Sequence, residues 1–317
     1  MAYNVSALPA YTDQTDKVIL QRLFTNSPIL NATKGNLMTG VKGTKTNNII
    51  SNSPYWQAGG CGAVNPSGST VLTQRTVTTS GIKIEQSFCE HTLQGKFTET
   101  SLVKGQDYTA LTFNTEIVEA NIDDVAKKGA IAVWQGNTSH YLDYLNKYDG
   151  LIKTIDADIV SGGLTSTNTY SGTTWSEANS RTVVKGICAL IIANQDVYKG
   201  GATDIKLYMS PAMVAQYKWK RMTDNIGFDG AYSQDGKSKL YAEGTNIEIV
   251  EDPGLAGVTK IYALEASNVY PATDGTNEQE KPKVWYSTDD NVIYLRANWR
   301  FGINVAFVSR CFNYLGV

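Results

Sequence analysis

The sequence predicts an α+β fold, with strands and helices segregated along the chain instead of alternating. Three observations carry this. Runs rich in β-branched residues with a period of two lie near residues 70–88 and again beyond residue 245, and a long stretch with helical spacing of apolar residues separates them. Ser, Thr, Asn, Gly and 18 Tyr are prominent, while charged residues make up 18%, below the usual share of about 25%. That profile suits a β-rich protein with a neutral, hydroxylated surface. With 317 residues and 42% hydrophobic content, the chain has material for two compact domains or one elaborated domain.

Residues 1–45 read as an extended arm. Short apolar clusters, Val18 to Phe24 and then Ile29 and Leu30, alternate with Asn, Thr, Gly and Lys without a sustained period. Val18 to Phe24 has the length for one or two helical turns. Residues 46–97 read as an extended β loop. There TVLTQRTVTTSGIKIEQSF alternates on both sides of Ser80-Gly81, which predicts a long two-stranded projection with its break at that dipeptide. The preceding PYWQAGGCGAVNPSGS is an irregular loop.

The segment FNTEIVEANIDDVAKKGAIAVWQGN gives the strongest helix signal. Phe113, Ile117, Val118, Ile122, Val125, Ala126 and Val133 recur at spacings of three and four and define one apolar stripe. Glu116 and Glu119 suit the positive helix start, and Asp123 to Lys127 and Asp124 to Lys128 are i,i+4 pairs in the favourable order. Continued to Trp134, the rod is roughly 33 Å long at ~1.5 Å per residue. Lys127-Lys128-Gly129 is a stretch inside it that resembles a helix end.

Next, SHYLDYLNKYDGLIKTIDADIV holds a short amphipathic helix and the Asp149-Gly150 turn, and SGGLTSTNTYSGTTW reads as a polar loop. TVVKGICALIIANQDVYKGG is a helix closed by Gly200-Gly201. DIKLYMS is a strand, and Ser210-Pro211 supplies an N-cap and a first-turn proline for the helix PAMVAQYKWKRM. The remainder is β: NIEIVED, KIYALEA, KVWYSTD, VIYLRANWRF and GINVAFVSRCF, the last two meeting at Phe301-Gly302. No repeat of about 20 to 50 residues occurs, which excludes solenoids and propellers.

Catalytic and cofactor chemistry finds no constellation. The net charge of -2 provides no field for a phosphate backbone, so sequence-specific nucleic-acid binding is not expected. Neither a signal peptide nor a membrane span is expected, because the first residues lack a basic run followed by an apolar core and no stretch approaches about 18 uninterrupted apolar residues. Cys61, Cys89, Cys188 and Cys311 lie far apart without metal-ligand spacing and read as reduced thiols, with an approach of Cys61 to Cys89 across a hairpin as the alternative. His91 and His140 have neither a GxSxG elbow nor an HExxH partner. Gly35 to Lys42 misses the phosphate-loop pattern because Val41 separates Gly40 from Lys42, and Gly59-Gly60-Cys61-Gly62 lacks the third glycine of a dinucleotide fingerprint. Asp123-Asp124, Asp156 with Asp158, Glu251-Asp252 and Asp289-Asp290 read as solvated or turn carboxylates. The expectation is a non-enzyme with no cofactor and no metal.

The order of elements resembles the major capsid protein of tailed bacteriophages, the Hong Kong 97-type fold. Trp134-Gln135-Gly136-Asn137 and Tyr148-Asp149-Gly150-Leu151 match the turns that follow that family's spine helix, and Leu207 to Val214 matches its strand, Ser-Pro, helix signature. LTQRTVTTSGIKIEQSFCEHTL further resembles capsid proteins of phages infecting Bacteroidetes. The resemblance implies an N-terminal arm (1–45), an extended loop (46–97), a peripheral domain with the spine helix (98–180), an axial domain (181–275) and final strands returning to the peripheral domain (276–317).

It further implies a shell subunit assembling into hexamers and pentamers, with portal, scaffolding and decoration proteins as partners, in non-specific proximity to packaged dsDNA and away from membranes. Such a protein is found in the virion capsid and assembles in the host cytoplasm. Thr76, Thr78, Lys83, Glu85, Trp134 and Asp149 are the subunit-contact candidates, and Gly136, Gly150 and Pro211 the fold-defining turns. Some relatives crosslink a loop Lys to a neighbour's Asn; Lys83 is the Lys of this loop, and no partner Asn is identifiable from sequence. Two other readings stay open: an encapsulin-like compartment shell, and a secreted β-rich adhesin or glycan-binding protein.

Overall fold

A computed structural model describes residues 26–57, 59, 66–89, 113–195, 197, 198, 204–224, 239–274, 283–287, 290 and 292–316. Val18 to Phe24, Cys61, His91 and Gly200-Gly201 lie outside the described residues. In chain order the helices are α1 (Pro28–Ala32), α2 (Phe113–Gln135), α3 (Leu151–Ser161), α4 (Thr165–Asn168), α5 (Ser180–Ala193) and α6 (Pro211–Thr223). The strands are β1 (Thr44–Pro54), β2 (Gly68–Thr78), β3 (Ser80–Cys89), β4 (Thr169–Tyr170), β5 (Ile205–Met209), β6 (Leu240–Tyr241), β7 (Glu248–Glu251), β8 (Ile261–Glu265), β9 (Val269–Thr273), β10 (Lys283–Ser287), β11 (Val292–Val305) and β12 (Phe312–Tyr314).

Helix α2 runs unbroken through Gly129 to Gln135, about 34 Å at ~1.5 Å per residue. Lys127-Lys128-Gly129 does not end it: Lys128 reaches back to Asp124 at 2.6 Å, and Ala126, Ala130, Ala132, Val133 and Trp134 are buried beyond and before the glycine. Burial of that face outweighs the roughly 1 kcal/mol that a helical glycine costs. The amphipathic helix expected near residues 139–160 lies wholly after Gly150; residues 137–149 are turns. The polar stretch after it contains α4 and β4, because buried Asn168 donates to the carbonyls of Ser309 and Cys311.

Two sheets form the base. One has the order β4-β12-β8-β5-β7-β6 and packs one face against α5 and α6. The other is built on β11, which pairs with β10, β3 and β9. Between them Trp134 sits 5.6 Å from both Tyr208 and Tyr262, with Tyr148, Leu151, Ile155, Phe301 and Ile303 around it. α1 enters this core through Ile29 and Leu30, so the second half of the expected extended arm is anchored. The chain then runs along β9, Met38 exchanging backbone bonds with Pro271 and Thr273, and enters β1.

Two strand expectations are corrected. β2 and β3 do not form a hairpin at Ser80-Gly81. β2 pairs with β1 from Thr44↔Thr78 to Pro54↔Gly68, while β3 pairs with β11 in the base. Phe301-Gly302 is not a turn between two strands either, because β11 passes straight through it. A Cβ at Gly302 would lie 2.1 Å from the Thr78 carbonyl oxygen, so this glycine serves close strand approach.

Ser210 caps α6, accepting from the Met213 N–H at 3.4 Å with Pro211 following as the first helical residue. Ser210→Ala is expected to lower stability by about 1 kcal/mol, read from the urea midpoint.

Candidate functional site

The feature that a folded single chain does not explain is the β1–β2 ribbon. Eleven paired residues on each strand give about 36 Å at ~3.3 Å per residue. Its base is fixed. Val77 packs with Val41 and Ala272, Asn304 Nδ2 donates to the Thr76 carbonyl at 2.7 Å, Thr79 donates to Val41 O at 2.8 Å, and Arg75 forms an ion pair with Asp158 of α3. Beyond Arg75 every residue from Gly68 to Gln74 is exposed. The exposed residues include large apolar ones: Ile50 (59%) directly opposite Leu72 (70%), then Tyr55 (69%) and Trp56 (100%). An apolar cross-strand pair of this size left in water is uncommon on a folded surface.

The subunit-contact candidates divide between ribbon, base and core. Thr76 and Thr78 are on the exposed face of the ribbon root, Thr78 with its hydroxyl 3.3 Å from that of Thr44. Lys83 and Glu85 lie on β3 in the base, 2.7 Å apart, and Arg296 approaches Glu85 at 3.4 Å. The Lys83 ammonium holds the Glu85 carboxyl below its usual range, burial opposing and Arg296 adding to the effect. Asn298 stands opposite Lys83 in the register, within the same subunit.

Trp134 cannot serve as a contact residue. It is fully buried, with its ring between two tyrosines, so a large aromatic that sequence alone offers to a neighbour is used for the core. Asp149 is partly exposed and accepts from Thr138 N–H at 2.8 Å and Lys153 at 2.7 Å. Burial pushes its carboxyl up, but Lys153 and Thr138 outweigh this and bring it below the usual range.

Gly136 and Gly150 interlock. The Gly150 N–H donates to Gly136 O at 2.8 Å, and a Cβ on Gly136 would meet Ala132 O at 2.6 Å and Tyr148 O at 2.7 Å. Their joint closes the end of α2 onto the start of α3. Sequence reading missed two further residues. Asp156, taken for a solvated carboxylate, accepts from Lys260 at 2.8 Å, Tyr262 at 3.0 Å and Asn313 at 2.7 Å; Asp158 holds Arg75. Nothing in the local sequence signals either role, since every partner is distant in the chain.

Among the described residues no group of His, Cys, Asp and Glu has metal-site geometry, and no helix is long and apolar enough to cross a membrane. Cys188 and Cys311 are buried free thiols, Cys188 pushed up to about 12 and Cys311 to about 12, in both cases by burial.

An anchored ribbon on a two-core base is a fold shared with phage capsid chains. It is similar to a chain of the satellite phage P4 procapsid that includes the size determination (Sid) protein, with 9% identity, 95% of this chain and 99% of that one covered, and a TM-score of 0.58. A chain of Mycobacterium phage Ogopogo (11% identity, 91% of each chain, TM-score 0.58) and one from the capsid of Myoviridae phage XM1 (12%, 90% of each, 0.53) are folded alike. At these identities the likeness shows the fold. No protein-family model and no curated protein matches the sequence.

Proposed function

We propose that the chain is a major capsid protein, a subunit that self-assembles into the icosahedral or prolate shell around a phage dsDNA genome. The observation that carries this reading is the β1–β2 ribbon: it exposes Ile50 and Leu72, with Tyr55 and Trp56 exposed just past the end of β1, in a chain with the fold of capsid subunits. In this reading the ribbon lies across a neighbouring subunit of a hexamer or pentamer, and heterologous contacts of this kind close into rings. The fold detail is Hong Kong 97-type, with α2 as the spine of a peripheral domain (98–180), an axial domain (181–275) and final strands (276–317). The ribbon proper is 44–78, with β3 part of the base. Portal, scaffolding and decoration proteins are the further partners, the host cytoplasm the place of assembly, and Bacteroidetes the host group, this last resting on residues 72–93 alone.

Negative-stain microscopy of the purified protein tests it. Polyhedral shells tens of nanometres across are expected; a monomer that never assembles under any condition would sink the reading, and shells filled with protein cargo would replace it with an encapsulin-like one. Ile50→Asp combined with Leu72→Lys should abolish shells while changing subunit stability by less than about 1 kcal/mol, since both side chains are exposed in the subunit and the new charges are opposite in sign. Normal shells from that variant would remove the ribbon from the contact.

A further inference from the structure

Several chain segments meet around one buried carboxylate. Asp252, at the end of β7, is fully buried; its N–H donates to Met209 O of β5 at 3.0 Å, and Oδ1 accepts the Gly254 N–H at 2.8 Å, capping the Pro253–Leu255 turn. The Ile29 N–H in the first turn of α1 and the Trp134 indole N–H near the end of α2 also act on this carboxylate. Gln135 holds the same turn from α2, donating to Gly254 O at 2.9 Å and Ala256 O at 3.0 Å.

Polar atoms here are left over. Asp252 Oδ2, Trp134 Nε1 and Tyr208 Oη are buried without a hydrogen bond, and the Tyr208 hydroxyl is close enough to feel the Asp252 charge. The indole N–H favours the charged carboxyl and, after burial, is the second influence on it. Among the described residues the packed elements bring no cation to it: α1 brings the Ile29 N–H, α2 brings Trp134 and Gln135, and β5 brings Tyr208, a titratable group that also feels Glu248 of β7. A desolvated anion with dipoles in place of a counter-charge is held at a cost.

We propose that Asp252 is a proton-operated joint between α1, the spine helix α2 and the six-stranded sheet, held tighter when its carboxyl is neutral. Protonation removes the buried charge and turns one carboxyl oxygen into a donor, while Oδ1 still accepts from the Gly254 N–H. Burial raises the carboxyl above its ordinary range, and the N–H groups of Trp134, Gly254 and Ile29 bring it only partly back. A folded-state value above the unfolded one means that the folded chain binds the extra proton. The resulting stability is complete below the ordinary value of ~3.9 and is lost as pH rises through the raised value. Acidification thus fastens α1 and the spine helix to the sheet, whether or not the chain forms shells.

The test is the unfolding free energy of the full chain against pH, for wild type, Asp252→Asn and Asp252→Ser, both of which keep an acceptor for Gly254. Above pH ~4 the wild-type folding equilibrium should fall relative to the variants by up to about tenfold per pH unit, until the raised value is passed. The slope is the readout, so a destabilised variant still reports. Parallel slopes would overturn the proposal. If both variants fail to fold, the wild-type Trp134 indole N–H resonance decides: a midpoint above the carboxylate range supports the joint, and a flat or ordinary titration refutes it.

Discussion

Asp156→Ala is expected to cost about 2–4 kcal/mol, a large part of the roughly 5–15 kcal/mol that holds a folded chain together. The loss lies in what the carboxylate leaves behind. Tyr262 and Asn313 are buried, and without Asp156 the Tyr262 hydroxyl and the Asn313 amide each keep a buried donor with no acceptor, at about 1–3 kcal/mol apiece. The ion pair with Lys260 is partly solvated and adds little. Because Asp156 lies on α3 while its partners belong to β8, β12 and the residue before β8, the change loosens the joint between the two cores. Asp158→Ala, two residues away, removes only the partly exposed pair with Arg75 and should cost about 0–1 kcal/mol. Urea denaturation of the two variants separates these outcomes, and equal midpoints would show that Asp156 is an ordinary surface carboxylate.

Gly150→Ala should lower stability by about 3 kcal/mol or more, the upper end of what overpacking costs. Its backbone, at φ -86 and ψ 179, is open to any residue, so conformational freedom is not the reason for glycine. Space is. A Cβ would lie 2.7 Å from Gly136 N, 2.7 Å from Trp134 O and 2.8 Å from Ala132 O, all backbone atoms of a helix end and a turn that cannot swing aside. Gly163 is the comparison. It has φ 67 and open space around it, so Gly163→Ala meets only the left-handed backbone penalty of about 1–2 kcal/mol. A thermal or urea midpoint for Gly150→Ala no lower than that for Gly163→Ala would contradict the interlocked-turn account.

Much of the architecture could be read locally. The stripe from Val125 to Val133, the Ser210-Pro211 cap and the short, largely apolar run 205–209 each act within a few residues, and each gave its element at the expected place. The ribbon's alternation was legible too, but its partner was not: the same period of two in residues 70–88 permits a hairpin at Ser80-Gly81, and only the competition of β1 for β2 and of β11 for β3 decides otherwise. Gly136 and Gly150 were visible as turns, whereas their mutual contact was not.

The sequence by itself determined the α+β class, the span of helix α2, the capped helix after Ser210 and a composition low in charge. These follow from spacing, capping and composition, which are properties of neighbours along the chain. Tertiary structure alone decided that Trp134 faces inward, that Asp156 clamps two cores, that Gly302 lets one strand lie against another and that Asp252 is buried without a counter-charge. Each depends on atoms far away in sequence, Asp156 and Asn313 being 157 residues apart, and no local pattern encodes which distant surface will cover a given side chain.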